Sequence, residues 1–260
     1  MSLLRLSLRL SWLVAGLVGL AVSGYLVTRR VYQRVLRPWE QGWLAAPEES
    51  TRVLPGDDLV GAPTIDETRA ITIDAPPAAI WPWLVQMGYG RAGWYSYDRM
   101  QMRGGSADAV EPEWQKLAVG DPVPTHPTGG FKVAVVEPEQ TLVLYLDSAT
   151  VGPATAAGEN GAEPTPAGPT RAGRFGSKAM SEFRGTWTFR LDPIGERQTR
   201  LLERFRLALP EQPGSVFARP AMGFGVFLMT RKHMLGLKAR AQRGATDGGA
   251  LGGGAEPTPA

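Results

Sequence analysis

The sequence predicts an α+β fold: a sheet of antiparallel strands covered by one long C-terminal helix, with a separate apolar helix at the N-terminus. Three observations carry this. Several runs alternate apolar and polar residues with the period of a half-buried strand. The stretch from Pro220 to Arg243 instead repeats apolar residues at helical spacing. It gathers Arg231, Lys232, Lys238, Arg240 and Arg243 in its latter half, where positive charge complements a helix C-terminus. Finally, Leu10 to Val27 is 18 residues long and carries no charge.

At 1.5 Å per residue that uncharged stretch reaches roughly 27 Å, close to the hydrocarbon thickness of a bilayer, so it reads as a transmembrane helix. Trp12 and Tyr25 fall near its ends, as interfacial aromatics do. Ala21-Val22-Ser23 would pass as a signal-peptidase site, but the apolar run continues to Val27 and stops at Arg29, Arg30, Arg34 and Arg37. A retained anchor needs that basic flank and a cleavage site does not. Arg5 and Arg9 precede the span and four arginines follow it, which predicts a single-pass protein of the cell membrane with its soluble domain on the cytoplasmic side.

Removing this segment changes the charge argument. The first 37 residues hold six of the 28 Lys+Arg and none of the 25 Asp+Glu, so the rest carries 22 against 25. A basic pI therefore does not point to nucleic acid. Cysteine is absent, which excludes disulfides, thiolate metal sites and a cysteine nucleophile.

The expected organisation is an anchor over 1–37, a connector over 38–67 punctuated by Pro38, Pro47, Pro55 and Pro63, a domain over 68–243, and a tail over 244–260. Ala, Gly, Thr and Pro dominate 148–173 and the tail, too little apolar surface to offset chain entropy, so both are expected to be disordered. Within the domain, Arg69 to Asp74 reads as a strand leading through Pro76-Pro77 into a short helix over Ala78 to Met87. Phe131 to Val136 and Thr141 to Asp147 have hairpin spacing. In Phe183 to Leu191, the residues Phe183, Gly185, Trp187, Phe189 and Leu191 share one face; in Thr199 to Leu209, Leu201, Phe205, Leu207 and Leu209 do, with Arg200, Arg204 and Arg206 opposite. The long helix is expected to bury Met222, Val226, Met229, His233 and Leu237, with Phe224, Leu228 and Leu235 beside them.

Trp81-Pro82-Trp83-Leu84-Val85-Gln86-Met87-Gly88, the run Gly90 to Asp98, Pro112-Glu113-Trp114-Gln115 and Met229 to Lys238 resemble the signature of bacterial proteins in the START and polyketide-cyclase-like superfamily, SRPBCC. The resemblance covers Pro55 to Arg243. It implies a helix-grip fold, a curved antiparallel sheet wrapped around the C-terminal helix and enclosing an apolar tunnel. Members bind lipids, sterols, hormones or polyketides, and a minority catalyse cyclisation or hydrolysis. The expected partner is accordingly a small hydrophobic molecule, and the expected role is binding rather than catalysis. An enzyme of the cyclase or hydrolase kind using a cavity carboxylate, or a tethered interaction module without ligand, are the alternatives. The 148–173 run departs from the group as a long insertion.

Candidate ligand-binding residues follow from chemistry and parity. Trp94 and Tyr97 can stack on a ligand while Asp98 or Arg91 fixes a polar end, with capping and core filling as the plain alternative for that segment. Glu203 shares parity with Leu201 and Phe205, which aims a carboxylate inward, where burial would raise its pKa. Trp187, Phe205 and Met229 complete the expected lining. No catalytic residue is assigned. His126 and His233 lack HxxxH or HExxH spacing and no phosphate-loop pattern is present, so no metal or cofactor is expected.

Overall fold

The computed structural model of the chain describes residues 2–97, 105–127, 129–147, 183–209 and 215–251, with side chains described from residue 15 in the first helix and over 223–245 in the last. The helices are α1 (Ser2–Val31), α2 (Arg37–Gln41), α3 (Pro47–Thr51), α4 (Pro77–Val85) and α5 (Ser215–Leu251). The strands are β1 (Ile65–Ile73), β2 (Pro122–His126), β3 (Gly129–Glu137), β4 (Thr141–Asp147), β5 (Arg184–Ile194) and β6 (Gln198–Ala208). They form one curved antiparallel sheet in the order β1-β6-β5-β4-β3-β2, with α5 against its concave face. This is the α+β arrangement of a helix-grip fold.

Register decides which side chains meet. In an antiparallel ladder, opposed residues point to the same face. Arg69 opposes Glu203, Glu203 opposes Phe189, and Phe189 opposes Leu142, which makes one inner row across four strands. The next row runs Glu67, Phe205, Trp187, Leu144 and Val133. The apolar parity of β5 and β6 thus does face the helix.

The stripe of α5 that reaches the core is Phe227, Thr230, His233, Met234, Leu237 and Ala241. His233 and Leu237 are buried as expected, but the rest of the expected face is corrected: Phe224, Leu228 and Leu235 are exposed, Val226 and Met229 are only half-buried, and the side chain of Met222 lies outside the described residues. The reason is a close approach at Gly236: a Cβ there would lie 2.2 Å from the Tyr95 carbonyl oxygen. That contact fixes the roll of the helix about its axis, and periodicity alone does not supply it.

Sequence also passes over β2. Pro122 and Pro124 discourage a strand assignment, but β2 pairs on one side only, and an edge strand tolerates proline. The expected connector is packed as well. Trp43, Leu54 and Val60 are buried, and the polar face of β6 reaches out to hold the segment. Arg200 bonds Glu49 at 2.8 Å; Arg204 bonds Asp57 at 2.6 Å and the carbonyls of Glu49, Ser50 and Arg52 at 3.0, 3.0 and 2.7 Å. Residues around 49–57 thereby cover the convex face of the sheet.

The expected transmembrane span needs correction. α1 forms as one helix of 30 residues, but among the described residues no helix is long and apolar enough to cross a membrane. Leu10 to Val14, the first residues of the expected span, have no described side chains, and Arg29 and Arg30 begin the basic flank two residues after Val27. α1 then passes through a π-helical turn at Tyr32–Leu36 into α2. The 148–173 insertion, Asp98, and the last nine residues of the tail lie outside the described residues; α5 extends to Leu251.

Candidate ligand site

Trp187 sits at the centre of the concave face. Its ring stacks on Trp94 at 5.4 Å with planes 17° apart, and it meets Phe131, Phe189 and Phe205 at 5.8, 5.1 and 6.5 Å. His233 of α5 lies 5.5 Å from it. Strands β3, β5 and β6, the loop after α4 and the helix α5 all contribute to this cluster. Around it the burial is uneven: Leu191 and Leu201 are sealed, whereas Trp187, Phe205, Leu207, Leu146 and Met229 are half-buried. The inner face is therefore less completely buried toward the start of β5 and the end of β6.

Two polar groups are enclosed in this apolar surface. Glu203 is 1% exposed, and its Oε1 accepts a hydrogen bond from Trp187 Nε1 at 2.7 Å while its buried Oε2 has no hydrogen-bond partner. Burial pushes its pKa up to about 8, against the smaller opposing pull of the Arg69 cation and the indole N–H. At neutral pH the group is mainly a carboxylic acid, and with Oε1 occupied as an acceptor its Oε2 is the natural seat of the proton.

His233 is also 1% exposed. Its Nδ1 lies 2.7 Å from the Trp94 carbonyl; a carbonyl only accepts, so Nδ1 carries the hydrogen. Burial pushes the ring's pKa down to about 4, which leaves it neutral at pH 7. Nε2 is then a bare acceptor, buried and without a partner. The aromatic cluster thus holds one unpaired donor and one unpaired acceptor, each costing of order 1–3 kcal/mol if left unsatisfied.

The loop after α4 presents Trp94 to this cluster. Gly93 has φ +83°, and a Cβ there would lie 2.6 Å from Ser106 Oγ, so the turn admits only glycine without movement. Ser96 Oγ then donates to the Met229 carbonyl at 2.8 Å, tying the loop to α5.

The structure brings together Trp94, Trp187, Phe205 and Glu203 of the expected residues. Met229 lies half-buried on α5. Tyr97 points to solvent, 43% exposed. Arg91 turns away too: its guanidinium donates to the carbonyls of Val85 at 2.8 Å and Trp114 at 3.4 Å and lies over the Trp114 ring, which makes it a brace for the loop. His233 joins the site without having been singled out as a ligand contact. Behind Glu203, buried Arg69 pairs with Glu67 and donates from Nε to the Glu40 carbonyl at 2.9 Å.

No family model matches this chain, and no curated protein matches it. Among solved structures it is similar to protein MLL2253 from Mesorhizobium loti, at 18% identity and TM-score 0.34, covering 68% of this chain and 98% of that one. It is also similar to CalU16 from Micromonospora echinospora (12%, TM-score 0.27, 70% and 86% covered) and to the Zhui aromatase/cyclase from Streptomyces sp. R1128 (10%, TM-score 0.28, 74% and 99% covered). Likeness at this level carries no argument about activity, which rests on the site itself.

Proposed function

We propose that this chain is a binding protein for a small, largely apolar molecule that carries one hydroxyl or carbonyl group. One observation carries the reading: Glu203 Oε2 and His233 Nε2 are both buried without a hydrogen-bond partner, and both residues meet Trp187, Glu203 through the indole N–H at 2.7 Å and His233 ring to ring at 5.5 Å. A ligand hydroxyl would accept from Glu203 or donate to His233, while the rings of Trp187, Trp94 and Phe205 supply apolar contact at ~25 cal/mol per Å² buried.

Membrane attachment through α1 belongs to the same proposal. Its support is the uncharged Leu10 to Val27 run, the exposure of Leu17, Leu20 and Val27, and the arginines that follow, which favour a cytoplasmic position for the domain. Attachment would hold the site beside the phase in which its ligand dissolves.

The raised pKa of Glu203 favours a second reading, a cyclase- or hydrolase-type enzyme in which this carboxyl is a general acid. Binding of 2-naphthol and of 2-methylnaphthalene, nearly equal in shape, separates the polar reading from simple greasy filling. The proposal predicts 2-naphthol tighter by about tenfold, from roughly 1–2 kcal/mol of hydrogen bonding, and a loss of that preference in Glu203→Leu. Equal affinity for both probes contradicts it.

A further inference from the structure

α5 turns a second apolar stripe to solvent. Phe224, Leu228 and Leu235 lie at helical spacing with Arg231 among them, and the first two are 42% and 38% exposed. At the N-terminal end of this stripe Trp39 of α2, 52% exposed, meets Phe227 edge-on at 4.9 Å, and Phe224 meets the same ring at 6.2 Å. Along the chain further exposed apolar residues follow, Leu36, Val35 and Val31, with Arg34 and Arg37 among them, leading into α1. Exposed apolar residues gathered in this way on a folded chain mark a contact surface.

Charge identifies what it contacts. Between Val27 and Trp39 the chain places Arg29, Arg30, Arg34 and Arg37 and no acid, and Arg231 and Lys232 lie exposed on α5. A second copy docking by a two-fold axis would set these cations against themselves with no carboxylate among them. An anionic bilayer surface complements them at about 1 kcal/mol per basic residue and takes Trp39 at the headgroup level.

We infer that the α2–α5 rim, Trp39, Phe224 and Leu228 with their neighbouring arginines, lies on the surface of an anionic bilayer. The inference rests on the proposed membrane attachment by α1, but does not require that α1 span. The rim adjoins the site: Phe227 meets Trp39 at 4.9 Å and has the Arg69 guanidinium at 5.5 Å, and Arg69 opposes Glu203 in the sheet. Half-buried Val226 and Met229 border the same end of the helix.

The chain has no cysteine, so a single introduced thiol is unique. The full chain carrying Leu228→Cys, Leu20→Cys or Val53→Cys, each labelled with a small fluorophore, is added to phosphatidylcholine/phosphatidylglycerol vesicles containing lipids with a shallow and a deep quencher, read in separate samples, quenching by either counting as quenching. Val53, 84% exposed in the segment that covers the convex face, is the control. The inference predicts at least a twofold loss of fluorescence at positions 228 and 20, little at 53, and weaker quenching at 228 in phosphatidylcholine alone. Quenching at 20 without quenching at 228 overturns the docked rim and leaves attachment standing. No quenching at 20 removes attachment, and the rim with it. Protection of position 228 that follows protein concentration and not lipid assigns the face to a second copy and overturns the inference.

Discussion

Glu203 and His233 respond to pH in opposite directions, which gives each a signature. The folded-state pKa of Glu203, about 8, lies above its ordinary value, so its contribution to stability is complete at pH below about 4.5 and is lost as pH rises through 8. Glu203→Gln keeps the shape without the proton. Urea unfolding in mild detergent should show the variant gaining on the parent steadily between pH 5 and pH 8.5; a constant difference across that range would mean that Glu203 is not buried as an acid. His233 is depressed to about 4, so its contribution is present above pH 6.5 and lost as pH falls toward 4, and His233→Gln should flatten that acid arm in the same measurement. Glu203 could be read from sequence because strand parity is strict: one residue between Leu201 and Phe205 has only one side to face. The burial of His233 was legible from helical spacing, but its role was not, because that depends on where the Trp94 carbonyl arrives. Arg91 and Tyr97 were misplaced for a related reason, since a glycine-rich loop has no period from which direction can be read.

Elements are locked together by a few close contacts, and these predict the larger stability effects. Gly236→Ala would force a methyl group to within 2.2 Å of the Tyr95 carbonyl oxygen, so α5 must lift from the loop that carries Trp94. A loss of about 1–3 kcal/mol is expected by urea or thermal unfolding, together with weaker probe binding. On the other side of the sheet, Arg204→Met removes one of the two arginines paired with Asp57, leaving Arg206 at 3.5 Å and the Leu54 N–H, and takes donors from the carbonyls of Glu49, Ser50 and Arg52. About 1–3 kcal/mol should be lost, with no effect on the probe preference, because the clamp lies across the sheet from the site. The strands β3 to β6 and the long helix were legible because period and length announce them. The edge strand β2 and the clamp over the convex face were not: prolines mask the first, and the second depends on pairing between arginines and carboxylates some 150 residues apart, which no local pattern encodes.

At the scale of the whole molecule, the sheet grips α5 tightly at one end and loosely at the other. Leu201, Leu191 and Leu237 close the first, and at the second Trp187, Phe205 and Leu207 are only half-buried. The basic, apolar N-terminal helix joins the domain close to this looser end, through the Trp39–Phe227 contact. The proposed attachment through α1 would hold the proposed site beside the membrane in which an apolar ligand dissolves. The central claim is that the space around Trp187 is filled by a molecule and not by the protein alone. The full chain, purified natively in mild detergent, should be extracted with organic solvent and its extract analysed by mass spectrometry, beside a Trp187→Ala variant. The account predicts a near-stoichiometric apolar compound bearing a hydroxyl or carbonyl in the parent and its loss in the variant. An empty extract from the parent, still empty after incubation with total membrane lipids, would contradict it.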